Sequence, residues 1–215
     1  MSDLVEHVGT MQDHWWWRPG WQKGRHFYAC HFAVGEHAEL VKLVQLYQQA
    51  LEPFPGLDPI PASWLHMTMQ GIGFVDELSD AQTVKLEEVI RRRVAKIPTP
   101  VVTFHRPVVR AEAVYLPGLP PEPIRAVRDA VRIAIGGVLG QDHVELAPEH
   151  VPVYRPHVSV AYSNSAQAAE PIADAISGVE AAPVTVSLSH VGLLEFHRDN
   201  RMYEWNQAVQ IPIGH

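Results

Sequence analysis

The sequence predicts an α+β fold built from antiparallel sheets, and three observations carry that prediction. Helical stripes alternate with short β-rich runs, and several of those runs are joined by hairpin-length connections, which favours antiparallel sheets over a doubly wound parallel one. The order strand, helix, strand, helix occurs once in each half of the chain. In each half, one strand carries the same short pattern: Trp64-Leu65-His66-Met67-Thr68-Met69-Gln70 in the first, and Arg155-Pro156-His157-Val158-Ser159-Val160-Ala161 in the second.

Taken in order, residues 1–25 form an arm crowded with Trp15, Trp16, Trp17 and Trp21 around Arg18-Pro19-Gly20. Its indoles are expected to cover core, since tryptophan buries large area, in preference to stacking on a nucleobase. Residues 26–215 then read as a single domain, of a length that supports a substantial core. His26 to Val34 is a strand, and Glu36 to Leu51 a helix with Leu40, Val44, Tyr47 and Leu51 on one face. A proline-rich loop leads to the first motif strand, with a bend or bulge expected at Gly71-Ile72-Gly73. Ser79 is placed to cap a helix that runs to Lys96, with Leu86, Ile90, Val94 and Ile97 inward.

Val101 to Val109 and Ala111 to Leu116 read as an antiparallel pair, followed by a turn-rich joint at Pro117-Gly118-Leu119-Pro120-Pro121. Pro123 opens a third helix whose stripe is Ile124, Val127, Val131, Ile135 and Val138, and Gly140 ends it. The second motif strand covers Tyr154 to Tyr162, and a short helix runs from Ala166 to Gly178. Val184 to Phe196 and Met202 to Ile211 close the chain as a hairpin around Arg198-Asp199-Asn200.

Composition narrows the function classes. The formal net charge is −7, whereas a protein gripping long nucleic acid shows a basic patch, so a small nucleotide or one RNA end is the better partner than a long duplex. The one dense basic run, Arg91-Arg92-Arg93, sits late in a helix, where the macrodipole and solvation account for it. No apolar run reaches membrane-spanning length, and the N-terminus lacks the pattern of a signal peptide, so no membrane partner and a cytoplasmic location are expected. The single cysteine, Cys30, excludes an internal disulfide and a multi-cysteine metal site. A monomer is expected.

In an extended strand successive side chains alternate in direction. His66 and Thr68 therefore share one face, as do His157 and Ser159, while Met67, Met69, Val158 and Val160 turn to the opposite, apolar face. By the same alternation Trp64 and Gln70 flank His66, and Arg155 flanks His157, as candidate substrate contacts. Two imidazoles meeting across a cleft suit phosphodiester chemistry: one takes a proton from the attacking oxygen and the other supplies one to the leaving oxygen. Thr68 and Ser159 would donate to non-bridging oxygens as charge builds there. No cofactor and no metal are called for, since a catalytic zinc site takes three protein ligands and two histidines supply only two. His31, His105, His143, His150 and His190 have no partner at recognisable spacing and read as surface or satisfied core histidines. Gly136-Gly137-Val138-Leu139-Gly140 lacks the Lys-Ser/Thr of a phosphate loop, and His197-Arg198-Asp199 reads as a turn.

The residues His66-Met67-Thr68 and Pro156-His157-Val158-Ser159-Val160-Ala161-Tyr162 resemble the motifs of the two-histidine (2H) phosphoesterase superfamily, which includes 2′-5′ RNA ligase-like proteins and 2′,3′-cyclic phosphodiesterases. That resemblance implies a bilobal α+β fold with a pseudo-twofold axis, two antiparallel sheets lining a central cleft and helices outside. It implies metal-independent cleavage of 2′,3′-cyclic or 2′-5′ phosphodiester bonds, with reverse ligation of RNA halves as a further activity. It also implies that the first histidine is the acid and the second the base in cyclic-ester hydrolysis. Two rival readings remain at this point: a non-catalytic nucleotide- or RNA-end-binding module on the same fold, and a metallohydrolase.

Overall fold

The computed structural model describes residues 7–145, 154–205 and 208–214. The chain begins with β1 (Thr10–Met11), β2 (Phe27–Ala33), helix α1 (Ala38–Leu51) and β3 (Leu57–Pro59). The first motif strand is β4 (His66–Phe74), followed by α2 (Asp80–Val94). Then come β5 (Val101–Phe104), β6 (Val108–Val109), β7 (Ala113–Pro117), α3 (Glu122–Leu139) and the short α4 (Asp142–Glu145). The second motif strand is β8 (His157–Ser163), and β9 (Gln167–Ala168), α5 (Glu170–Ser177), β10 (Val184–Ser187), β11 (His190–Phe196) and β12 (Ala208–Pro212) complete the chain.

Two four-stranded sheets form the body, in the orders β12-β11-β2-β4 and β3-β8-β7-β6, and the strand pairings in both are antiparallel. The α+β architecture and the repeat seen in the sequence are both present. β2, α1, β4 and α2 of the first half correspond to β7, α3, β8 and α5 of the second, and each motif strand pairs with the first strand of its own half. The helices cross over. α1 and α5 lie against the β8 sheet, whereas α2, α3 and α4 lie against the β4 sheet, so each half places a helix behind the other half's motif.

The helical stripes bury as their spacing predicts. Leu40, Val44, Tyr47 and Leu51 of α1, Leu86, Ile90 and Val94 of α2, and Ile124, Val127, Val131 and Ile135 of α3 are all buried, while Ile97 and Val138, at the ends of their stripes, are only half-buried. Ser79 caps α2: its Oγ accepts from the Gln82 amide at 3.3 Å, and Gln82 Oε1 accepts from the Ser79 amide at 2.9 Å. Among the described residues no helix is long and apolar enough to cross a membrane.

The last strand is shorter than the sequence reading, since Met202 lies in a bend and β12 starts at Ala208, and two other runs read as single strands are divided. Val101 to Val109 is not one strand: His105-Arg106-Pro107 breaks it, so β5 pairs with β10 while only Val108–Val109 pairs with β7. Proline offers no amide to a ladder, which accounts for the break. Likewise Val184 to Phe196 divides at Leu188-Ser189, and β11 joins β12 and β2 in the first sheet. The arm runs along the second half: β1 pairs antiparallel with β9, and the Val8, Gln12 and His14 amides donate to the carbonyls of Val109, Ala111 and Ser163. Trp15 is buried and Trp21 sits among Phe27, Phe74 and Phe196, as packing residues do, but Trp16 and Trp17 are about half exposed.

Candidate active site

Each motif histidine opens its strand, and the two are held alike. His66 Nδ1 lies 2.7 Å from the Trp64 carbonyl, and His157 Nδ1 lies 2.8 Å from the Arg155 carbonyl. A carbonyl can only accept, so in both rings Nδ1 carries the proton that donates, and Nε2 is the atom left to meet a substrate. The residue before each histidine is pinned in the same way: the Val34 amide donates to the Leu65 carbonyl, and the Gly118 amide to the Pro156 carbonyl, each at 2.9 Å.

The correspondence extends one step further along both strands. Thr68 pairs with His31 and Gln70 with Cys30, leaving Met69 as an extra residue; Ser159 pairs with Tyr115 and Ala161 with Val114, leaving Val160 extra. Each motif is thus followed at once by a β-bulge, which reverses side-chain alternation beyond it. A side chain from the crossed-over helix then reaches the carbonyl of each bulged residue, and the Val160 carbonyl also accepts the Ile60 amide at 3.1 Å. Arg128 Nε of α3 donates to the Met69 carbonyl at 2.8 Å, and Gln48 Nε2 of α1 donates to the Val160 carbonyl at 2.9 Å. β4 is an edge strand, and the Tyr154 hydroxyl covers its Thr68 carbonyl at 2.7 Å, tying the two halves at the motif itself.

The bulges decide which neighbours reach the cleft. Gln70 does not flank His66, contrary to strict alternation. The bulge at Met69 turns it to the helix side, where it is 1 % exposed and bonded to the Val144 carbonyl and to Arg132. Tyr162 moves the opposite way: the bulge at Val160 brings it to the face of His157 and Ser159, where the Ser159 hydroxyl neighbours its own. Trp64 stands beside the site, edge-on to Trp205 at 4.9 Å, and contributes its carbonyl to His66. Arg155 is exposed and contributes its carbonyl to His157.

An aromatic wall joins the two motifs. Tyr203 packs edge-on to His66 at 5.8 Å between ring centres and to Tyr162 at 5.6 Å. His14 of the arm stacks on Tyr162 at 4.2 Å and hydrogen-bonds to the Tyr203 hydroxyl and to Glu112. Arg18 pairs with Glu112 at 2.8 Å; burial pushes that carboxyl up, but the His14 hydrogen bond and the Arg18 charge hold it down to about 2. Arg198, buried in its turn, donates to the His14 carbonyl and lies against the rings of Trp15 and Tyr203.

The histidines differ in surroundings. His66 is 7 % exposed, and desolvation drives its pKa down to about 4, with the nearby His157 and His14 adding to the shift. His157 is only half-buried and stacks face to face on Tyr115, 4.1 Å between centres at 28°. Its pKa is also lowered by desolvation, with the Arg155 carbonyl opposing. The sequence missed two members of this group. Tyr115 carries no motif signal, and His31, read as a surface or satisfied core residue, is buried with its ring 4.7 Å from that of His66 and Nδ1 3.4 Å from Thr68 Oγ1. Among the described residues no three His, Cys, Asp or Glu side chains converge as metal ligands would.

Comparison with known proteins agrees with this architecture. The crystal structure of TT0787 of Thermus thermophilus superposes with a TM-score of 0.61 at 18% identity, covering 87% of this chain and 97% of that one. Escherichia coli LigT complexed with ATP gives 0.51 at 16%, and LigT complexed with 3′-AMP 0.51 at 15%, each covering 87% of this chain and 98% of LigT. At such identities the likeness is one of fold. No curated protein matches the chain. The model of the 2′-5′ RNA ligase superfamily matches residues 33–200, which takes in both motif strands and helices α1 to α5. The chain belongs to the 2′-5′ RNA ligase superfamily.

Proposed function

We propose that the protein is a metal-independent phosphodiesterase acting, as a monomer, on 2′,3′-cyclic or 2′-5′ phosphodiester bonds of nucleotides or RNA ends. The observation that carries this reading is the matched pair of Nδ1–H donations, which leaves Nε2 of both His66 and His157 for the substrate. The LigT fold holds ATP and 3′-AMP, so a nucleotide phosphate is the natural ligand for a cleft of this architecture.

The surroundings of the two rings suggest a division of labour opposite to the one the family resemblance implies. His66, buried and discharged, is the base: its Nε2 takes the proton of the attacking water or ribose hydroxyl as that oxygen bonds to phosphorus. His157, only half-buried and stacked on a Tyr115 face that opposes the desolvation lowering its pKa, is the acid: its Nε2–H protonates the leaving ribose oxygen as the P–O bond breaks. The reverse ligation uses the same groups with the roles exchanged. Thr68 and Ser159 donate to the non-bridging oxygens. Trp64, Arg155 and the tyrosines line the approach.

The test is turnover by purified protein of 2′,3′-cyclic nucleotides and 2′-5′ dinucleotides, with and without a chelator. Cleavage that survives the chelator is the expected result. Tight binding without turnover would make the protein a nucleotide-binding module, and loss of activity with the chelator would make it a metallohydrolase.

A further inference from the structure

We propose that His31 is a positioning residue: its Nδ1–H donates to Thr68 Oγ1 and so aims the threonine's own proton at a non-bridging phosphate oxygen. This rests on the phosphodiesterase reading for the reaction, but the contact itself belongs to the fold. His31 stands on β2 directly across from Thr68 on β4, and cross-strand partners share a face. Its Nδ1 is 3.4 Å from Thr68 Oγ1, long for a hydrogen bond, as catalytic contacts commonly are before substrate arrives.

The direction of that bond follows from the other ring nitrogen. His31 Nε2 is buried and has no hydrogen-bond partner. Desolvation and the neighbouring His66 keep the ring neutral, so it has one N–H and one lone pair. Were the proton on Nε2, a buried N–H would be orphaned and Thr68 would have to spend its hydroxyl proton on Nδ1. With the proton on Nδ1, only an acceptor is left unsatisfied, the milder of the two defects. Thr68 then accepts from His31 and keeps its own hydrogen for the substrate. The second lobe has a counterpart, since the Tyr162 hydroxyl neighbours that of Ser159. Each phosphate-facing hydroxyl therefore has an aromatic partner behind it.

The experiment compares His31→Ala, His31→Asn, His31→Gln, Thr68→Ala and the His31→Ala/Thr68→Ala double variant. His31→Ala and Thr68→Ala should each lower kcat by roughly 10- to 100-fold, the loss of one hydrogen bond to a charged oxygen, with KM little changed. The double variant should be no worse than Thr68→Ala alone, because His31 acts only through that hydroxyl. An asparagine amide nitrogen occupies the place of Nδ1 and a glutamine nitrogen that of Nε2, so Asn should restore activity and Gln should not. Multiplying effects, rescue by Gln alone, or unchanged kcat in His31→Ala would overturn the assignment. So would a fall in melting temperature with kcat of the folded fraction intact. Nitrogen-15 NMR of the imidazoles gives a readout independent of turnover: the Nδ1–H tautomer is expected at His31 and should lose its preference in Thr68→Ala. An Nε2–H tautomer would overturn the proposal even if no substrate is cleaved, whereas Nδ1–H without turnover would fault only the phosphodiesterase reading.

Discussion

Replacing Tyr115 with Leu removes the aromatic face beneath His157 while keeping apolar bulk, and so tests whether that face sets the acid. The rings stack at 4.1 Å and 28°, close enough for the negative ring face to favour the imidazolium. An interaction of this kind at a partly exposed site is worth about 0.5–1 kcal/mol. At 1.36 kcal/mol per unit, its loss lowers the His157 pKa by roughly half a unit. In a profile of kcat/KM against pH, the acid limb reports His66 taking a proton near 4, and the alkaline limb reports His157 losing its own below the ordinary 6.5. Tyr115→Leu should move only the alkaline limb, toward acid, and NMR titration of the His157 ring should show the same shift. Tyr115→Phe keeps the ring and should leave the limb in place. An upward shift, or equal shifts in the Phe and Leu variants, would refute the idea that the ring face supports the charged form.

Two further outcomes concern stability. His66 has a folded pKa of about 4 against 6.5 for the free ring, so the unfolded chain binds its proton first; stability is full above 6.5 and declines between 6.5 and 4. For this buried ring the loss amounts to roughly 3 kcal/mol, and thermal melts of His66→Gln should fall less steeply over that window than those of wild type. An identical slope would mean that His66 is not the group responsible. In the arm, Trp15→Ala should cost about 3–5 kcal/mol by its burial, while Trp16→Ala and Trp17→Ala, which are about half exposed, should each cost less. If instead Trp16→Ala or Trp17→Ala raises KM with unchanged melting, the exposed indoles serve the substrate.

Much of this fold was legible because its signals are local. The stripes of α1, α2 and α3 and the Ser79 cap follow from spacing and from one hydroxyl placed before a helix. The two motif strands were legible because apolar alternation and the His-x-Thr/Ser pattern coincide. Gln70 was misplaced because period-2 alternation holds only until a bulge, and the extra residue at Met69 is visible only in the pairing with β2. His31 was missed for a related reason: its partner is fixed by strand register, which lies between segments and not within one. Nor could spacing separate β5 from β6, since the choice of β10 as partner depends on chain some eighty residues away. The asymmetry between the two histidines has the same origin, in a tyrosine from β7 and an aromatic wall assembled from the arm and the turn after β11.

The central claim is that His66 and His157 act as one proton-transfer pair, and kcat of the single and double alanine variants on a cleaved 2′,3′-cyclic or 2′-5′ substrate tests it most directly. Each single variant should lose about 10²-fold or more with substrate binding largely retained, and the double variant should be little worse than either. Full activity in either single variant, or single losses that multiply in the double, would contradict the account.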